Sequence, residues 1–115
     1  MDIEWLRKYC LSLPASAEDI KWGNDLCFMV VGKMFCVAGL DTPQKIAFKV
    51  PDEDFETLST SEGFIPAPYM TRAKWVLVTE TSLLNKKEWE QYILQSYNLV
   101  KAKLTKKVRM ENGLQ

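Results

Sequence analysis

Two apolar runs, Leu26–Val31 and Met34–Leu40, stand on either side of Gly32-Lys33, and no other feature limits the fold as strongly. Runs of this length joined by a two-residue, glycine-first loop predict a β-hairpin closed by a type II′ turn, because Gly32 can take the positive φ that the turn requires. Lys33 is then expected at the solvent-exposed tip. The chain must build a core on an antiparallel sheet.

The flanking segments supply the rest. Ile3, Leu6, Cys10 and Leu13 recur at helical spacing, with Trp5 and Tyr9 widening the stripe, Asp2 as N-cap and Pro14 as the stop. Glu18–Trp22 reads as a short strand and Gly23–Asp25 as a turn, with Trp22 either an exposed ring or a lid on the core. Asp41–Gln44 is a second turn, its backbone fixed by Pro43. Lys45–Val50 alternates, placing Lys45, Ala47 and Lys49 on one face, expected to be solvated, and Ile46, Phe48 and Val50 on the buried one. Pro51–Ser59 predicts a short helix with its acids in the first turn and Phe55 and Leu58 inward. After a loop to Gly63, Phe64-Ile65 returns to the core. Lys74–Glu80 is the next strand, with Lys74, Val76, Val78 and Glu80 on one side and Trp75, Leu77 and Thr79 on the other. Asn85 and Glu88 form a capping box, and Trp89, Ile93, Tyr97, Val100 and Leu104 make one stripe of a helix of about 20 residues. Five cations between Lys101 and Arg109 suit its negative end. The expected fold is α+β: a two-layer sandwich in which an antiparallel sheet carries the N- and C-terminal helices on one face. One domain spans 1–110, and 111–115 is expected to be a frayed tail.

Charge and residue usage narrow the function. Fifteen Lys and Arg balance fifteen Asp and Glu, so a whole-molecule basic field is absent and nucleic-acid binding would need a local patch. With no histidine, Ser-His-Asp and Cys-His systems are excluded. Cys10, Cys27 and Cys36 never pair as Cys-x-x-Cys and are expected to be small buried apolar groups in a reducing compartment. Asp52, Glu53 and Asp54 are consecutive and cannot converge on one ion from a helix surface. No metal, cofactor or enzyme activity is expected. The N-terminus lacks a signal-peptide core and no run of about 18 apolar residues occurs, so a cytoplasmic monomer without a membrane segment is expected.

The stretch Pro66–Glu80 concentrates the candidates for binding. Pro66 and Pro68 forbid a helix, so Tyr69–Arg72 is presented on a loop before a strand. Arg72 and Lys74 beside the rings of Tyr69 and Trp75 are a mixture suited to phosphates and base stacking. Lys33, Lys45 and Lys49 extend the candidate basic face. The competing reading keeps Trp22, Tyr69 and Trp75 as walls of an apolar pocket for a protein or small molecule.

The helix ending in Leu13-Pro14, the hairpin from Phe28 to Phe35, Phe48-Lys49-Val50-Pro51, the segment from Pro68-Tyr69 to Lys74-Trp75-Val76, and Ser96–Val100 together resemble the MmcQ/YjbR family over nearly the whole chain. The resemblance implies a CyaY-like fold and a double-wing arrangement proposed to bind DNA, with Lys33, Lys49, Lys74 and Trp75 at matching positions. Some relatives place a histidine before the tryptophan, whereas Ala73-Lys74 stands here. The frataxin likeness does not bring iron binding, since the first helix offers only Asp2 and Glu4.

Overall fold

The expected hairpin lies at the centre of the computed structural model, which describes residues 1–114. Strands β2 (Asp25–Val30) and β3 (Lys33–Gly39) pair antiparallel. The turn sits one residue earlier than expected. Val31 and Gly32 are the two loop residues, with φ of 48° and 78°, and Lys33 pairs with Val30 as the first residue of β3. Two positive φ values belong to a type I′ rather than a type II′ turn. A bulge between Phe28 and Met29 shifts the register beyond it.

Around this hairpin, β1 (Ser16–Lys21), β4 (Ile46–Lys49), β5 (Phe64–Pro66) and β6 (Trp75–Val78) complete a six-stranded antiparallel sheet in the order β1-β2-β3-β4-β6-β5. Strand β5 was expected only as a return to the core. Its three residues pair with β6, and Thr79 N–H donates to the Gly63 carbonyl at 2.8 Å just before it. Glycine is favoured there by its φ of +81°, which side chains rarely adopt, and an added Cβ would also have to displace Leu83 Cδ1 at 2.0 Å.

The helices cover one face, as the hydrophobic spacing predicts. Asp2 caps α1 (Ile3–Ser12), which buries Leu6 and Cys10. The short α2 (Asp52–Ser59) leans Phe55 and Leu58 onto the core. The reciprocal Asn85–Glu88 capping box opens α3 (Lys86–Ala102), which buries Trp89, Ile93, Tyr97 and Val100. Against them, Phe28, Cys36, Phe48 and Val76 form one row across four strands, and Leu26, Ala38, Ile46 and Val78 form the next. The Phe48 ring stacks on Tyr92 at 5.2 Å and meets Trp89 edge-on at 6.0 Å. Each such side chain contributes roughly 1.5–3 kcal/mol by leaving water. Ser96 fastens helix to sheet: its hydroxyl donates to the Phe35 carbonyl at 2.6 Å and accepts the Lys49 N–H at 2.9 Å.

Two expectations for the C-terminus change. The helix of about 20 residues is broken after Ala102, and Thr105 caps a separate helix, α4 (Lys106–Glu111). Arg109 turns back to donate to the Leu104 carbonyl, so one of the five cations satisfies the chain reversal. Residues 111–114 turn back onto the protein: Leu114 is buried against the core, and its N–H donates to the Arg109 carbonyl at 2.7 Å. The expected tail's last residue, Gln115, lies outside the described residues. No helix among the described residues is long and apolar enough to cross a membrane.

Candidate functional site

The sheet face turned away from the helices was expected to be solvated around Lys45, Ala47 and Lys49. Instead its middle is apolar. Register places Asp19, Cys27, Val37, Ala47, Leu77 and Ile65 in one row across all six strands, so its central positions carry no charge. Trp75, Ala47 and Ala67 form a second buried cluster on this side, with Met34, Val37, Met70 and Leu77 partly buried against it. The Pro66–Lys74 loop covers only part of this floor. Ala67 N–H donates to the Trp75 carbonyl at 3.0 Å and Trp75 N–H to the Met70 carbonyl at 3.3 Å, folding the loop back over its own strand.

What remains uncovered is a cleft of about 750 Å³, within the range of small-molecule sites. Val37, Ala47 and Leu77 make its floor. Three connections make its walls: Trp22 from the β1–β2 turn, Asp41–Pro43 from the β3–β4 loop, and Ala67–Met70 from the β5–β6 loop. Trp22 and Tyr69 are 69% and 105% exposed, and their φ angles are +51° and +65°. Left-handed backbone at a bulky residue costs on the order of 1–3 kcal/mol, which packing does not return to rings so exposed.

The polar groups gather at one end. Gly39 N–H donates to the Lys45 carbonyl at 2.9 Å, and Asp25 Oδ1 lies 3.8 Å from the point a Gly39 Cβ would occupy. Leu40 N–H donates to the Asn24 carbonyl at 3.0 Å, while the Asn24 amide donates to Asp41 Oδ1. Asp25, Asp41 and Lys45 therefore border the cleft around Gly39-Leu40. None of the three forms an ion pair among the described residues, where both such pairs belong to Arg7.

The structure divides the sequence candidates. Trp22, Tyr69 and Lys45 line the cleft. Trp75, expected as a pocket wall, is 4% exposed and is buried in the cluster behind the cleft. Lys49, expected on a solvated patch, is only 7% exposed, with its ammonium donating to the Ala73 carbonyl. Burial pushes the Lys49 pKa down, and Lys103 and Lys74 nearby push in the same direction. Lys74 Nζ lies 5.1 Å from the centre of the Phe55 ring. Arg72 and Lys33 are exposed outside the cleft. The five candidate cations thus do not form one face, although Lys74 and Lys103 both lie near the buried Lys49. Asp25 and Asp41 were missed. Their signal was that Val37, Ala47 and Leu77 leave the face opposite the core apolar, so the acids bordering it flank a site.

All three cysteines are free and buried, and the Cys10 thiol is pushed up by its contact with Cys36 and by burial. Among the described residues no group of three metal-ligating side chains converges.

The YjbR family model matches residues 11–99. A Deinococcus radiodurans protein with a DUF419 domain superposes with a TM-score of 0.85 at 26% identity, over 98% of this chain and 88% of its own. A Pseudomonas syringae protein shares the fold at a TM-score of 0.72 and 21% identity, over 87% of this chain and 99% of its own. No curated protein matches. The family match takes in the hairpin, the Pro66–Lys74 loop and most of the capped helix α3, and on that ground the chain belongs to the YjbR family.

Proposed function

We propose that this protein is a binding module, not an enzyme, and that its ligand is a small organic molecule held in the cleft on the helix-free face of the sheet. One observation carries the reading. Trp22 and Tyr69, on separate loops, both hold exposed rings on left-handed backbone at the border of the same cleft. Positive φ also serves tight turns, as at Val31, but at Trp22 and Tyr69 it coincides with exposed rings beside a cleft, and such backbone clusters at functional sites. Rings on two sides and an apolar floor suit a flat or apolar ligand body. The test is a two-dimensional amide NMR titration with a set of small aromatic compounds. Shifts centred on Val37, Ala47, Leu77 and Tyr69 are expected; shifts scattered over the surface, or none, would refute the cleft.

A second reading, contact with nucleic-acid phosphates, is favoured by Lys74 and Lys103, both placed near the buried Lys49. It predicts salt-sensitive binding of oligonucleotides that is lost in Lys74→Glu. Fluorescence anisotropy at two salt concentrations tests it, and no binding at low salt removes it.

A further inference from the structure

The cleft is polar at one end and apolar along the rest, and its charges have both signs. Resting on the cleft reading above, we propose that its ligand is an amino-acid zwitterion with an aromatic side chain, free or at the ends of a short peptide. Asp25 and Asp41 present carboxylates to an ammonium, and Lys45 presents an ammonium to a carboxylate. All three residues border the cleft near Gly39, which lines it and brings no side chain of its own. None spends its charge on an ion pair within the described residues. An aromatic body pointing away from them would lie over Val37, Ala47 and Leu77 between the Trp22 and Tyr69 rings. A phosphate would meet two carboxylates at this end and a simple amine would meet Lys45. A zwitterion satisfies both signs at once.

The experiment is a set of NMR titrations at millimolar concentration with L-phenylalanine, the dipeptide Phe-Phe, phenethylamine, 3-phenylpropionate and benzyl alcohol. Phenylalanine or Phe-Phe is expected to bind in the cleft, the tighter of the two separating a free amino acid from a peptide. Each single-charge analogue should bind about ten- to hundredfold more weakly, the range for a lost hydrogen bond to a charged group. Lys45→Gln should erase the advantage of phenylalanine over phenethylamine, and Asp25→Asn with Asp41→Asn its advantage over 3-phenylpropionate. The amide spectrum of each variant verifies its fold, and Lys45→Gln, at an exposed side chain, tests the idea if the double variant unfolds. Equal binding of benzyl alcohol and phenylalanine in the cleft would overturn the zwitterion while leaving a cleft for apolar ligands. Absence of binding by every compound would overturn both.

Discussion

The two faces of the sheet are both apolar at their centres, yet they are finished differently. Under α1 and α3, every large side chain finds a partner: Phe48 meets Trp89 and Tyr92, Phe35 meets Tyr97 edge-on at 5.3 Å, and Ser96 joins helix to two strands. On the other face the Pro66–Lys74 loop covers Trp75 but leaves Val37, Ala47 and Leu77 bordering a cleft flanked by strained, exposed rings. The first face is built for stability. The second keeps apolar surface uncovered, a feature that soluble domains otherwise limit and that marks sites of interaction.

Substitutions should separate the faces sharply. The largest effect is expected for Phe48→Ala, which empties the centre of the covered face and should cost about 3–5 kcal/mol in urea unfolding. Ser96→Ala should come next, at about 1–3 kcal/mol, because it strips partners from the buried Lys49 N–H and Phe35 carbonyl. Tyr69→Asn belongs to the other face. Asparagine tolerates left-handed backbone and the ring makes no buried contact, so stability should hold or rise by up to about 1 kcal/mol while ligand binding weakens. A loss comparable to Ser96→Ala would show that the ring is structural and erase the contrast.

The smallest effect concerns pH. The folded pKa of Lys49 lies below its unfolded value, so between the two the unfolded chain holds the extra proton. Stability from this group should therefore rise with pH from the folded pKa up towards about 10.5, the unfolded value. Lys49→Met should flatten that rise in urea midpoints measured across alkaline pH, and should change neutral-pH stability by no more than about 1 kcal/mol, since an apolar side chain replaces a buried charge that has Asp52 nearby but no ion pair among the described residues. An unchanged slope would mean that the ammonium stays hydrated.

Much of the covered face was legible because its signals are local. Asp2, the Asn85–Glu88 box and Pro51 fix helix starts by their own hydrogen bonding or backbone, and the stripe from Trp89 to Val100 shows which side is buried. Less legible were features set by distant pairing. Three residues of β5 become a strand only because β6 lies beside them, and the hairpin turn moved by one residue together with a bulge at Phe28/Met29. The helix break did have a local signal, the N-cap Thr105, but the hydrophobic spacing continued through Leu104 and hid it. On the cleft face, alternation placed Trp75 and Leu77 on one side of β6, and Ala47 opposite the core-facing residues of β4. The error was in what covers that side. A single strand's pattern shows which residues share a face, whereas the enclosing loops come from three separate connections.

The division of labour is tested most directly by measuring urea stability and ligand titration together on a Trp22→Asn/Tyr69→Asn double variant. The account predicts stability equal to or above that of the parent chain, with the shifts at Val37, Ala47 and Leu77 abolished. A loss of more than about 2 kcal/mol, the scale of a core truncation, or undiminished binding in the cleft, would contradict it.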